Sequence, residues 1–447
     1  MEKLFAKYTE AVESACTVKC VGRVFRVQGL LVESTGPRSV IGEICCIETR
    51  DGELLAEVIG LNGPVVQLMV YGPMEGIELG AKVTAAGSGL SIPCSPEMLG
   101  RVLDALGRPV DGAGNLTVAC RAPAIREAPP AFSRPAITER LVTGIRVIDG
   151  LLAVGKGQRI GVFAGSGVGK STFLGMIAAS SHADVNVIAL IGERGRELNE
   201  FIVNSLGDEA LKRSVVVVAT GDQSALLRLK GAYTATAIAE YFRDMGKNVM
   251  LLFDSVTRFA RAQREIGLSR GESPAHRGYP PSVFDMLPKL LERAGTSGRG
   301  SITAFYTVLV EGDDIDEPVS DNVRATLDAH IVLSRRLASR GHYPAVDILQ
   351  SISRLAEEVS GPETRKAVRA VKRLVADYAE AEDVINAGAY KQGSNPDIDA
   401  AIAKRPEIED FLIQATGESS ALGDTLLRLG GIAGVGIPAS EGAVPKE

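Results

Sequence analysis

The sequence predicts an α/β protein in three parts: a small all-β barrel, a parallel sheet covered by helices on both faces, and a helical end. Three textures carry this prediction. From about residue 17 to residue 90, short alternating runs rich in Val, Ile and Gly are closed off by turn signals. From about residue 143, continuous apolar runs ("RIGVFAG", "VNVIALIG", "SVVVVAT", "NVMLLFDS", "SITAFYTVLV", "AHIVLS") recur at roughly 30-residue intervals, with helical spacing between most of them. After about Pro362 the strand-like runs stop, and Leu, Val and Ile fall three and four apart.

A chain of 447 residues exceeds one ordinary core and implies roughly two to four domains. Charged residues at 23% and hydrophobic ones at 45% suit a soluble globular protein. A net charge of −6 gives no global attraction to nucleic acid or to an anionic membrane. No apolar run approaches the roughly 20 residues that span a bilayer, and no secretory signal is visible, so a cytoplasmic location is expected.

The barrel reading rests on "VGRVFRVQGLLVE", "GEICCIET", "LLAEVIG" and "VVQLMVYG", each bounded by Gly, Asn-Gly or Gly-Pro. Before them, Leu4, Phe5, Tyr8 and Val12 share one helical face, the pattern either of a short helix that docks on a partner or of a frayed end. The cysteines (Cys16, Cys20, Cys45, Cys46, Cys94, Cys120) lack C-x-x-C spacing, which argues against zinc and predicts small buried hydrophobes. From Pro93 to Pro135 the proline-rich segments "SIPCSPEMLGRVLDALGRPVDGAG" and "APAIREAPPAFSRP" predict an extended connection with one short helix. In the helical end, "ETRKAVRAVKRLVADYAEAEDVINAG" and "DIDAAIAKRPEIEDFLIQ" predict two helices, and "GGIAGVGIPASEGAVPKE" a loose tail.

The chemistry concentrates in "GVFAGSGVGKSTFLG". Residues 164 to 171 fit G-x-x-x-x-G-K-[ST] except that Ala164 replaces the first glycine. The predicted strand before and helix after are the context the motif requires. Ala164, Gly165, Ser166, Gly167, Val168 and Gly169 would form a backbone cradle for phosphate, with Thr172 in the first helical turn. Lys170 would reach the β and γ phosphates of ATP, and the Ser171 hydroxyl would ligate Mg²⁺.

Two carboxylates belong beside this loop. Asp254 closes "NVMLLFDS" in the Walker B manner and would hold the Mg²⁺ shell through water, although a helix-capping aspartate reads the same way. Glu193, in "ALIGERGRELNEF", would orient and deprotonate a water and touch the metal through water, with Arg194 offsetting charge on the phosphoryl oxygens. Spacing alone leaves open a surface run in which Glu193, Arg194, Arg196 and Glu197 pair with one another.

With these pieces in view, ordered blocks become specific. "TGIRVIDGLLAVGKGQRIGVFAGSGVGKS", "IGERGRE", "LLFDSVTRFARAQRE", "GYPPSVFDMLPKLLERAG", "VEGDDIDEPVSDNVRATLDAHIVLSR" and "YPAVDILQSISR" resemble the rotary-type hexameric ATPases related to the ATP synthase alpha and beta subunits. Within that group they look most like the type III protein export ATPases, nearest the flagellum-specific kind. "LGRVLDALGRPVDG" and "GAYKQGSNPDIDAAI" extend the resemblance over nearly the whole chain.

The resemblance implies a β-barrel domain over residues 1–92, a RecA-like P-loop ATPase domain over 93–366 that includes the connection 93–140, and an α-helical domain over 367–447. It implies Lys170 and Ser171 on phosphate and Mg²⁺, Glu193 as catalytic carboxylate, Arg194 on the γ-phosphate, and Asp254 as Walker B carboxylate with Arg258 close behind. Arg354, ending "DILQSISR", matches the arginine finger that reaches the adjacent subunit's nucleotide. One chain thus carries Lys170, Glu193 and Arg354 together, which implies a homohexameric ring with head-to-tail contacts. No aromatic follows Arg354 in "RLAEEVSGPETRKAV", where the ATP synthase catalytic subunit is expected to stack adenine on a tyrosine. The base is therefore expected on aliphatic contacts or on another aromatic such as Phe411.

The implied partners are a stator-like regulator at the N-terminal segment, a coiled-coil stalk, export substrates with their chaperones, and an export gate above a ring lying at the cytoplasmic face of the inner membrane. A virulence-type secretion ATPase is the alternative within the family. A RecA-type nucleic-acid translocase is the alternative outside it. Against the translocase stand the acidic balance, the absence of Trp, and the lack of a basic or aromatic stripe in residues 17–90, so no nucleic-acid partner is expected.

Overall fold

The structure, a computed structural model, describes residues 20–310, 314 and 316–442. The expected helix at Leu4–Val12, and with it the regulator's expected docking segment, lies outside the described residues. The chain divides into two compact units. In the first, six strands close a barrel: β1 (Val21–Gln28), β2 (Leu31–Thr35), β3 (Glu43–Thr49), β4 (Gly52–Asn62), β5 (Val65–Val70) and β6 (Lys82–Gly89). Their order around the barrel is β1-β2-β5-β4-β3-β6, antiparallel throughout. Alternation sends Val24, Val32, Ile47, Val58, Leu68 and Val83 inward to fill it.

The second unit is built on one large sheet. The connection supplies β7 (Ser91–Cys94), β8 (Val102–Leu103) and β9 (Cys120–Pro123). Then follow β10 (Arg140–Leu141), β11 (Val154–Gly155), β12 (Arg159–Ala164), β13 (Val185–Ile191), β14 (Ser214–Ala219), β15 (Asn248–Asp254), β16 (Gly295–Thr296), β17 (Ser301–Leu309), β18 (Ala329–Leu333) and β19 (Val346–Ser353). The sheet runs β19-β18-β12-β17-β15-β13-β14-β8, parallel except for β19 at one edge and the short β16, which pairs β17. Its central strands are buried on both faces, as their unbroken Val, Ile, Leu and Phe content requires.

The connection departs from expectation. It forms a 3-10 turn at Pro96–Met98 and a second at Ala131–Ser133, while Val102–Leu103 extends the sheet beside β14. "LDALGRPVD" cannot continue as a helix because Asp104 accepts from the amides of Leu106 (2.9 Å) and Arg108 (2.8 Å), which closes a tight turn. Of two other expectations, buried cysteines hold only in part and the loose tail fails. Cys20 and Cys120 are exposed, whereas Cys45 and Cys94 are buried and their thiols are pushed up to about 12, chiefly by burial. The tail is ordered through residue 442: helix Leu422–Ala433 takes in its first residues, and Glu441 accepts from the amides of Glu363 (3.1 Å) and Thr364 (2.9 Å). The helix Pro362–Asn386 starts on free amides and lacks a side-chain cap of its own, so this carboxylate supplies the missing acceptor.

The helical domain (Pro362–Asn386, Pro396–Leu412, Leu422–Ala433) shares its core with the sheet unit through Ile148, Leu151, Phe411, Leu426 and Leu429. Arg146, at the head of helix Arg146–Leu151, is buried and gives its Nε to the Phe411 carbonyl (2.9 Å). Its other nitrogens bind the Ile413 carbonyl and Glu418. One arginine thus satisfies orphan carbonyls at the end of helix Pro396–Leu412. Among the described residues, no helix is long and apolar enough to cross a membrane.

Candidate nucleotide site

The parallel strands bring the predicted phosphate loop, Glu193 and Asp254 to their carboxyl ends, the expected place for a ligand in an open α/β sheet. Ala164 ends β12, Asp254 ends β15, and Glu193 lies two residues beyond β13. The loop after β12 turns through Gly167 and Gly169, at φ +78° and +87°, into helix Lys170–Ser180. Gly169 caps that helix without a side-chain acceptor, so its first amides stay available to an anion. Ser171 and Thr172 are exposed on this first turn.

Three charged groups meet here. Lys170 Nζ lies 2.5 Å from Asp254 Oδ1 and 3.4 Å from Glu193 Oε1. Thr307 Oγ1 donates to the same Asp254 oxygen at 2.8 Å and fixes that carboxylate. Burial opposes the charge on Lys170, but the two carboxylates prevail and raise its pKa. Burial raises the pKa of Glu193; Lys170 pulls against that rise and Asp254 adds to it. Hydroxyl and carboxylate oxygens from Ser171, Asp254 and Glu193 are the hard donors that suit Mg²⁺.

Arg258 forms part of the wall. Its Nε is buried without a hydrogen-bond partner. It fits because residue 192 is glycine: a Cβ there would stand 2.8 Å from the Arg258 Cβ, and φ is +74°. Arg194 behaves differently. Its side chain is 85% exposed and lies 3.6 Å from Glu197, the local pairing that the sequence left open. A cavity of about 720 Å³ gathers the loop, Glu193, Arg194 and Arg258, together with Arg261 and Arg335, which the sequence reading did not single out. Arg261 stands three residues after Arg258 on helix Val256–Ser269, and that spacing was the available signal.

A second cavity, of about 450 Å³, shares Gly167, Gly169 and Thr172 with the first but is mostly apolar. Val168, Phe173, Met176, Pro344 and Ile413 line it, and Tyr343 stands half-exposed at its edge. A Cβ at residue 169 would lie 3.3 Å from the Tyr343 ring. The aliphatic alternative for the base finds candidate contacts in this lining, and the aromatic alternative, Phe411, does not. Phe411 is fully buried in the core and unavailable, whereas Tyr343 offers a ring beside the phosphate loop. The aromatic precedes Arg354, in "YPAVDILQSISR", rather than following it.

Arg354 is remote from all of this. β19 runs antiparallel to β18, so Ser353 pairs with Ala329, which itself pairs with Ile160 near the start of β12. Arg354 therefore sits at the amino ends of the parallel strands, roughly 20 Å of β12 away from its own phosphate loop. Its side chain is exposed and makes no hydrogen bond or ion pair among the described residues.

The likenesses to known proteins agree with this geometry. Residues 144–353 match the ATP synthase alpha/beta family, nucleotide-binding domain. Residues 24–87 match that family's beta-barrel domain, and residues 360–430 the T3SS EscN ATPase C-terminal domain. The "Flagellum-specific ATP synthase" of Treponema pallidum is 56% identical over 97% of this chain and 98% of its own. That of Bacillus subtilis is 51% identical over 95% and 98%. The assembled ATPase EscN of the enteropathogenic E. coli type III secretion system superposes with a TM-score of 0.88 at 44% identity, covering 92% of this chain and all of that one. A nucleotide cavity at the strand ends, a barrel before it and a helical domain after it accompany identities of this size; the chain belongs to the ATP synthase alpha/beta family, among its flagellar and type III secretion ATPases.

Proposed function

We propose that this ATPase is the motor of flagellar type III protein export, working as a homohexameric ring in which each active site is completed by the next copy. The observation that carries the shared site is the position of Arg354, unpaired and at the wrong end of the sheet to serve its own phosphate loop. A head-to-tail ring brings that end of one copy to the nucleotide of another. The flagellar assignment is supported by the high identity to flagellar relatives. Relatives named as type III secretion ATPases also match, at 48–49%.

In this reading the free amides of helix Lys170–Ser180 and the Lys170 ammonium hold the phosphates of ATP, and the apolar cavity takes the base against Tyr343. Ser171 and Asp254 would hold Mg²⁺, which supplies charge neutralisation at the phosphoryl oxygens. Glu193 accepts a proton from water as the water oxygen bonds to the γ-phosphorus. The bond to the β,γ-bridging oxygen breaks, and ADP leaves with that electron pair. Arg258 and the neighbour's Arg354 stabilise the transferred phosphoryl group. Hydrolysis then drives the docking, unfolding or release of export substrates, around a stalk of the kind bound in the EscN–EscO structure.

The test is hydrolysis against protein concentration. Activity per chain should fall on dilution as rings dissociate, and Glu193→Gln should abolish it at every concentration. Constant activity per chain down to a purely monomeric sample would contradict the shared site. Deletion of the gene should remove flagellar filaments; intact filaments with a lost virulence secretion phenotype would transfer the assignment to the injectisome.

A further inference from the structure

Within one chain, the phosphate loop and Arg354 are joined by three hydrogen-bonded strands, β12, β18 and β19. At the Arg354 end, Ser353 Oγ accepts from Gln158 Nε2 (3.1 Å) and donates to the Ala153 carbonyl (2.8 Å), and Asp328 adds a further tie. The Arg354 amide donates to the carbonyl of Asp328 (3.1 Å), and the Asp328 amide donates to the carbonyl of Arg159 (3.0 Å). The Asp328 carboxylate is gripped in return. Its Oδ2 accepts from the Arg159 amide and Nε, each at 3.1 Å, and its Oδ1 accepts from Arg159 Nη2 at 3.1 Å. The remaining Arg159 nitrogen pairs with Glu292, which also takes Arg134 Nη1 at 3.0 Å. A two-pronged arginine–carboxylate grip of this kind fixes direction as well as distance. The main chain of Arg354 is thus held firmly while its guanidinium is left without a partner. A purely structural arginine shows the reverse pattern, as Arg293 does with both its prongs on Glu240 at 3.0 and 2.7 Å.

We propose that Asp328, clamped by Arg159, is a positioning residue for Arg354, and so acts on the nucleotide site of the adjacent copy rather than on that of its own chain. The inference rests on the reading of Arg354 as a residue shared between copies. The opposite role is concrete, because Arg159 also opens β12 and six residues later the chain enters its own phosphate loop.

Pairwise mixing of inactive or weakened chains separates the two. An interface works when one chain supplies an intact phosphate side and its neighbour an intact Arg354 side. Asp328→Asn alone should lower kcat by about 10- to 100-fold, as expected for a reacting group displaced by about an ångström, and leave KM for ATP nearly unchanged. Mixed with Glu193→Gln chains it should recover activity; mixed with Arg354→Ala chains it should not. Arg159→Lys, which keeps the charge but loses the fork, should fall in the same group.

Recovery with Arg354→Ala but not with Glu193→Gln would assign the pair to its own phosphate loop and overturn the proposal. Recovery with both, or with neither despite ring assembly seen by native mass spectrometry, would overturn it as well. The control is Glu193→Gln mixed with Arg354→Ala. If that control fails, the reading of Arg354 itself falls, and the positioning role with it. If it succeeds while Asp328→Asn joins the wrong group, only the positioning role falls.

Discussion

The two ends of the central sheet hold similar residues arranged to opposite purpose. At the amino ends several cations are paired with anions, although Arg140 keeps a buried Nε without a partner. Arg293 and Glu240 are each 1% exposed and paired, Arg159 spans Asp328 and Glu292, and Arg126 reaches Asp244 at 3.0 Å. At the carboxyl ends the matching is incomplete. Lys170 faces two carboxylates, Arg258 keeps a buried Nε without an acceptor, and the helix after the loop starts on uncapped amides. Paired charges hold a fold in place; unmatched ones, fixed by the same strands, are available to a ligand. Arg354 links the ends: its side chain stands unpaired on the matched side, and in the proposed ring a second copy gives that position a use.

Several substitutions would break or sharpen this contrast. The largest effect belongs to the unmatched groups. Arg354→Ala should lower kcat by about 10³- to 10⁵-fold, with the melting temperature little changed. Glu193→Gln should cost about 10²- to 10⁴-fold, measured as steady-state phosphate release. A loss of folding in either variant would move that residue to the structural side of the comparison.

The matched end should respond in stability instead. Glu240→Ala leaves the buried Arg293 guanidinium without its partner and should cost about 3–5 kcal/mol in denaturant unfolding. Replacing both by apolar residues of similar volume should restore most of that loss. An unfolding midpoint unmoved by Glu240→Ala would refute the assignment of this pair to the fold.

Smaller effects sharpen the site. Tyr343→Ala should raise KM for ATP by about 5- to 100-fold, corresponding to about 1–3 kcal/mol of base stacking, while Tyr343→Phe stays close to the parent. An unchanged KM would remove the apolar cavity from base binding. The smallest effect lies in the pH profile. Glu193 must be ionised to accept a proton, and burial raises its pKa above the ordinary value of 4.5. Activity should therefore fall with decreasing pH sooner than an ordinary glutamate predicts, with the acid limb of kcat/KM centred above 4.5. A limb at or below that value would show that another group sets it.

Much of this architecture was legible in residue order, for physical reasons that differ from place to place. Strands buried on both faces have only one composition, so β12, β13, β14, β15, β17 and β18 stand out as unbroken apolar runs. The loop before Lys170 is legible because a phosphate cradle needs residues without bulk at fixed spacing. β8 was hidden, since two residues carry no period and its place beside β14 is a tertiary fact. Glu441 was hidden for the same reason: a carboxylate in a Gly- and Ala-rich tail signals nothing until a helix start 77 residues away in sequence needs an acceptor. Tyr343 lay within a block already singled out, but its ring meets the phosphate loop only because β18 and β12 are neighbours. The local pairing of Arg194 with Glu197 needs no tertiary contact, and spacing had already offered it as a choice.

The most direct measurement is the activity of rings mixed from Glu193→Gln and Arg354→Ala chains, each nearly inactive alone. With shared sites and random assembly from equal amounts, roughly a quarter of interfaces join an intact phosphate side to an intact Arg354 side. Activity should then rise to a maximum near equal mixing and fall away on either side of it. Activity that stays at the level of the separate chains across all ratios, in rings shown to contain both, would contradict the account.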